Sequence, residues 1–403
     1  MIKTMKKIKN LSSFLITMII ISLAISPSFA LGEGNRNLLL IGIMSFTPII
    51  IISYFKFYKN DTFLFFFLLS IILFPSLNHP ESMRWSTVMY SIMFGLTFIA
   101  YKALLYQEKF TIKMYQKLLK NLIYAYFMVL IIQQFCVLTG LPIFNLSNYD
   151  PSEPWKLNSL SAEPSHSARI VALLMYSYIT IQELITKQVY NFKLNLKKDK
   201  WIWFSFFWTM LTMGSATAFL FIAIVFSKFI KYKNLIILIF ISILMFFIID
   251  LFKIHSFTRV YDILIATLTF DIEKIIQVDH SASLRIIPML LIIQEIDLST
   301  FNGWFGYGID YTSIFFNGKI IGVKEGFSGG GLFQIFMEYG FVSFTLFLLF
   351  SFFTSFKKGD YLSIIFWFLL IFLNGVNNQI VWLSIILLFT NRYFRKNLLR
   401  IKK

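Results

Sequence analysis

The chain has 403 residues, 57% of them hydrophobic and 14% charged, and its mean hydropathy is +0.72. A soluble globular protein is about one quarter charged, so the composition excludes a water-soluble enzyme or binding module and points to a membrane-embedded chain. The net charge of +17 comes from 37 basic and 20 acidic residues, and their distribution marks an orientation in a membrane, not a nucleic-acid footprint.

The N-terminus is basic (Lys3, Lys6, Lys7, Lys9) and runs into an apolar stretch over residues 11–31. Ser28-Phe29-Ala30 looks like a signal-peptidase site. The stretch exceeds the roughly 7–15 residues of a signal core, so an uncleaved first helix is expected. Further spans are expected over 37–55, 61–77, 85–101, 121–138, 168–186, 201–213, 216–230, 235–251, 332–356, 361–373 and 379–390. Together they make about twelve runs near the ~20 residues that cross a bilayer core, in an all-α polytopic membrane protein of a single domain, 1–403. Only Gly214 and Ser215 join the seventh and eighth runs, which predicts a tight helical hairpin. The single cysteine, Cys136, lies inside an apolar run, which excludes an intramolecular disulfide and argues against a cysteine-based metal site.

With the N-terminus in the cytoplasm and the spans alternating, cytoplasmic segments hold 27 of the 37 basic residues but only 5 of the 20 acids. That is the asymmetry of the positive-inside rule, and it places both termini in the cytoplasm. Two outer loops are large, 139–167 and 252–331, and the others are short. Large outer loops suggest work done outside. Within the second, 259–276 reads as an amphipathic helix on the membrane surface. Residues 281–296 read as a second helix, kinked at Pro288.

Three places could carry chemistry. In Ser161-Ala162-Glu163-Pro164-Ser165-His166-Ser167-Ala168-Arg169, Pro164 suits the first helical position and Glu163 the cap before it. Free N–H groups at that helix start make an anion site, and Arg169 one turn deeper can add a bidentate phosphate contact; an ordinary capped helix with a snorkelling arginine is the alternative. Arg285 sits among Leu284, Ile286, Ile287 and Met289, a costly setting for a charge; the alternative is a surface ion pair with Asp279 or Glu295. Gly329, Gly330 and Gly331 let backbone approach a ligand or adopt positive φ, or serve the loop alone. Gln334 and Glu338 follow at i and i+4, where they could bind sugar hydroxyls, or Glu338 could pair with an arginine. Tyr307, in the Gly306-Tyr307-Gly308 turn, is a further substrate-binding candidate. The four histidines (His79, His166, His255, His280) show no i, i+4 zinc spacing; only His166 is a candidate, for substrate.

At these residues the chain resembles the O-antigen polymerase and ligase superfamily, the Wzy-type polymerases in particular. The resemblance rests on the span number, the two dominant outer loops, the Glu163-Pro164-Ser165 helix start, and the arginine-bearing helix of the second loop. It includes the run Gly331-Leu332-Phe333-Gln334-Ile335-Phe336-Met337-Glu338-Tyr339-Gly340 and the closing Asn377-Asn378-Gln379-Ile380-Val381-Trp382. Ligases of the superfamily carry a histidine where this chain has Gly329, which favours a polymerase. Some polymerases have glycine ten residues after an arginine in both loops; neither Arg169 nor Arg285 has that spacing.

The resemblance implies a GT-C-like fold with periplasmic loops, in the cytoplasmic (inner) membrane. It implies a glycosyltransferase that joins undecaprenyl-diphosphate-linked oligosaccharide repeats into O-antigen, capsule or exopolysaccharide. Arginine would stabilise the departing diphosphate without a metal or other cofactor, and Glu163 or Glu338 would serve as base. Its partners would be the lipid-linked glycans, membrane lipid and a chain-length regulator, with no nucleic acid. The alternatives are a ligase of the same chemistry and a lipid-linked oligosaccharide flippase. A flippase would line its central spans with charge, and these are nearly charge-free.

Overall fold

The computed structural model describes residues 2–26, 38–54, 56, 58, 61–145, 149, 151–229, 266, 274–275, 277, 280–320, 326–327 and 329–400. The side chains of 2–10, 38, 193–195, 216, 280–283, 285 and 398–400 lie outside that description. So do Ser28-Phe29-Ala30, the ninth expected span and nearly all of the expected surface helix over 259–276.

All regular structure among the described residues is helical. The first nine helices are α1 (Ile2–Ala24), α2 (Leu38–Tyr54), α3 (Thr62–Asn78), α4 (Trp85–Leu105), α5 (Ile112–Thr139), α6 (Pro164–Thr186), α7 (Phe192–Lys198), α8 (Lys200–Thr212) and α9 (Ala216–Ser227). After them come α10 (His280–Glu295), α11 (Phe301–Phe305), α12 (Tyr311–Phe315), α13 (Phe333–Ser355), α14 (Tyr361–Trp367, continued by a π turn, Phe368–Phe372) and α15 (Gln379–Arg400). Among them α4, α5, α6 and α13 are each long and apolar enough to cross a bilayer, and shorter apolar helices accompany them. Large apolar side chains such as Phe46, Ile52, Phe135 and Leu211 face outward, as hydrocarbon permits and water does not. Among the described residues the protein is all-α, and its apolar helices make it a multi-pass membrane protein.

At the centre stand α6 and α15. Every residue of α6 from Ser167 to Gln182 is buried, because α5, α8, α9 and α15 surround it. A helix apolar all round belongs in a core, and polar side chains then fix its neighbours. Asn391 of α15 donates to Ser177 Oγ of α6 at 3.0 Å, and the Tyr101 and Thr390 hydroxyls join α4 to α15 at 2.6 Å. Trp382 of α15 stacks on Phe94 of α4 at 5.8 Å and meets Phe347 of α13 edge-on at 5.9 Å, ring contacts that add to simple area burial.

Local signals set the ends. Thr111 caps α5 by accepting from the Met114 amide, and Gly140 closes it in the left-handed region. Pro164 opens α6 as expected. Gly214, at φ +69, turns α8 into α9, which pack together as the short linker predicts. Two departures stand out. Helix α5 begins nine residues before its apolar run, at Ile112, and α15 continues past its run to Arg400. The expected tenth span is broken: Gly340 inside α13 has φ +81 and ψ 172, a conformation open essentially only to glycine.

Candidate functional site

One end of the bundle gathers the N-terminal ends of α6, α13 and α15. The loop before α6 is tied down backbone to side chain. Ser159, at φ +51, donates its hydroxyl to the Tyr126 carbonyl and its amide to Gln133 Oε1. Asn145 donates to the Ser159 and Ser161 carbonyls. This loop therefore delivers Glu163 to the helix start in a fixed place. Glu163 is extended (φ −154) at the cap position, but its carboxylate does not cap its own helix. It accepts from the Ser165 hydroxyl and faces His166 Nε2 at 3.2 Å, with both side chains about a third exposed.

Arg169 lies three residues below His166, about 4.5 Å along the axis. It is only 9% exposed, and its Nη1 donates to Asn374 Oδ1 at 3.1 Å. Asn374 belongs to the polar loop after the π turn, and its own amide donates to the Leu369 carbonyl. The next residue, Gly375, lies against Gln334: a Cβ there would stand 3.0 Å from Gln334 Oε1. Gln334 in turn donates to Glu338 Oε1 at 3.1 Å, and the Thr312 hydroxyl donates to the same oxygen. Two polar groups thus lie on either side of Gly375: Arg169 with Asn374, and Gln334 with Glu338 and Thr312. Glu338 is buried, and among the described side chains it pairs with no cation. The arginine partner considered for it from the sequence is therefore not among those side chains.

The second loop supports this arrangement from outside. The Tyr307 amide donates to the Met337 carbonyl at 2.9 Å and the Gly308 amide to the Glu338 carbonyl at 3.3 Å. Backbone passes backbone here with no room for side chains: a Cβ on Gly306 would stand 2.3 Å from the Glu338 carbonyl oxygen, and one on Gly340 2.2 Å from that of Trp304. Asp310, at φ +59, clamps the turn to the start of α4 through Arg84 at 2.9 Å and Thr87. Beyond the turn, the Ser299 amide and hydroxyl bind the Asp297 carboxylate and hold its pKa below the usual range.

Several expected ligand residues take a packing position. The Tyr307 ring stacks on Tyr311 at 5.1 Å and lies against a small satellite core that includes Ile287, Ile292, Phe315 and Met337. Gly329 and Gly330 press on α10, where added Cβ atoms would meet Pro288 at 3.3 Å and Ile292 at 2.5 Å. Gly331, at φ +61, lets the chain turn beside the Phe372 carbonyl. Arg285 is placed by its backbone on α10, which packs on α13; its side chain lies outside the described residues. The helix runs through Pro288. Asn374 and Thr312 were not found from the sequence. The polar island Asn374-Gly375-Val376-Asn377-Asn378 between two apolar runs is the signal that marks the first. Thr312 carries no sequence signal.

No family model, curated protein or solved structure matches the chain.

Proposed function

We propose that the protein is a polysaccharide polymerase that joins undecaprenyl-diphosphate-linked oligosaccharide repeats on the outer face of the cytoplasmic membrane, with twelve spans and both termini inside. The observation that carries the reading is Arg169: a buried guanidinium in an apolar helix, one turn beneath a Glu163–His166 pair. Intramembrane arginine is costly and marks function.

In this reading the donor is the growing glycan on its lipid diphosphate. The acceptor hydroxyl of an incoming repeat attacks the anomeric carbon, and the bond from that carbon to the diphosphate oxygen breaks. Negative charge builds on the diphosphate, where Arg169 and the N–H groups at the start of α6 meet it. Glu163 takes the proton of the attacking hydroxyl, because it is the solvent-reachable carboxylate and His166 orients it. Glu338 is a positioning residue: it accepts from Gln334, which packs beside Gly375 in the loop that carries Asn374, the partner of Arg169. Arg285 is proposed as a second phosphate contact from α10.

The test is Arg169→Ala and Arg169→Lys in cells. Alanine should leave membrane abundance unchanged and lower polymer formation about 10²-fold, with single-repeat lipid-linked glycan accumulating. Lysine keeps the charge without the planar fork and should restore only part. Normal polymer from well-expressed alanine protein would remove Arg169 from the mechanism.

A further inference from the structure

A second site lies at the opposite end of the bundle. Phe353 and Thr354 sit twelve or more residues beyond Phe341, past the break at Gly340, about 18 Å along that part of α13. There the ends of α4, α13 and α15 enclose a cavity of about 290 Å3 with Tyr58 and Asp61, close to the lower size of small-molecule sites. Its charge is lopsided. Lys102, Arg392 and Lys396 line it against one carboxylate, Asp61. Asp61 is already committed, because it forms a buried ion pair with Lys102. The Lys102 ammonium also sits over the Tyr58 ring at 4.8 Å and the Tyr106 ring at 5.7 Å. Arg392 donates to the Phe353 carbonyl, a neutral partner, and Lys396 pairs with no carboxylate among the described residues. Arg392 and Lys396 stand at i and i+4 on α15, so both cations reach the same space.

The remaining walls are aromatic: Tyr106 in ring contact with both Tyr58 and Tyr393, together with Phe98 and Phe389. Phe353 at the rim is half exposed, on the apolar outer surface. An uncompensated pair of cations above aromatic walls, at the membrane end of three packed helices, matches an amphiphile with an anionic head. We propose that this cavity binds the phosphate of an anionic glycerophospholipid, held by Arg392 and Lys396, with its glycerol and upper acyl chain against Tyr58, Tyr106 and Phe353. Arginine suits phosphate through paired donors. This site is independent of the polymerase reading.

The experiment uses the full-length protein purified in detergent. Retained lipid is measured by native mass spectrometry, and melting temperature is followed during titration with phosphatidylglycerol, phosphatidylcholine or inorganic phosphate. Phosphatidylglycerol should bind and raise the melting temperature, while phosphatidylcholine and inorganic phosphate should not. Arg392→Gln and Lys396→Gln should each weaken phosphatidylglycerol binding about fivefold. Lys113→Gln, an exposed cation outside the cavity, should leave it unchanged. If Arg392→Gln melts early for want of its bond to Phe353, Lys396→Glu carries the test, since Lys396 is exposed and bonds nothing described. Equal stabilisation by inorganic phosphate, lost in the same variants, would assign the cavity to a free anion and overturn the lipid. Phosphatidylglycerol binding indifferent to Lys396→Glu would overturn the site altogether.

Discussion

At the scale of residues, two carboxylates divide the work. Glu163 and Glu338 lie at the same end of the bundle as Arg169, but their surroundings differ. Glu163 is a third exposed and faces His166, whereas Glu338 is buried and accepts from two neutral donors, Thr312 and Gln334. A base must reach the acceptor hydroxyl, so Glu163→Gln should lower turnover by about 10²-fold or more while leaving abundance and donor binding near normal. Single-turnover assays beside lipid-binding measurements check this. Equal turnover by the glutamine variant would move the role elsewhere. The helix start at Pro164, the cap position of Glu163 and the depth of Arg169 could all be read from one short segment, because each depends on its neighbours in sequence. The links to Asn374 and Thr312 could not. They join residues 205 and 26 positions apart, and no local rule predicts such a pairing.

Elements show the same division. The apolar cores of most expected spans are helices, because about 17–20 apolar residues admit no other structure in hydrocarbon. Their ends were less legible. Hydropathy follows hydrocarbon, while a helix continues as long as its hydrogen bonds and packing allow; hence α5 begins among Lys113, Lys117 and Lys120, and α15 ends among basic residues. The break in α13 was hidden for another reason. Gly340 looks like any glycine in an apolar run, and only the close passage of Trp304 and Phe305 explains it. Gly340→Ala should therefore cost about 3 kcal/mol or more, from the forbidden backbone and the 2.2 Å approach together. Gly42→Ala in α2, with nothing within 4 Å of an added Cβ, should be neutral or slightly stabilising. Melting of the two purified variants decides it, and a Gly340→Ala protein that melts with its parent would contradict the close docking of the 304–308 segment on α13.

For the whole molecule, the fold brings the described residues that lead into α6 and into α13 to one end. The first loop leads into α6 and the second into α13, and the loop before α15 touches both, through Asn374 at Arg169 and Gly375 beside Gln334. In the proposed topology that end faces the outside, as the charge asymmetry of the sequence leads one to expect. In a Cys136→Ala background, single cysteines at Glu153 and Asn317 should react with an impermeant thiol reagent added from outside, and one at Gln188 should not. All three positions are exposed, so reactivity reports the side of the membrane. Labelling of Gln188→Cys with protection of Asn317→Cys would invert the topology and place the arginine–carboxylate end away from lipid-linked glycan exported to the outer face.

The central claim is covalent: the protein makes a glycosidic bond and releases a lipid diphosphate. It is tested most directly by reconstituting the purified protein in liposomes with lipid-linked repeats extracted from its own cells, then following glycan length and free undecaprenyl diphosphate together. The account predicts a ladder of multiples of the repeat, one diphosphate released per bond formed, and neither product from Arg169→Ala. Lipid-linked repeats that cross the bilayer or stay in place unchanged, with no ladder and no released diphosphate, would contradict it.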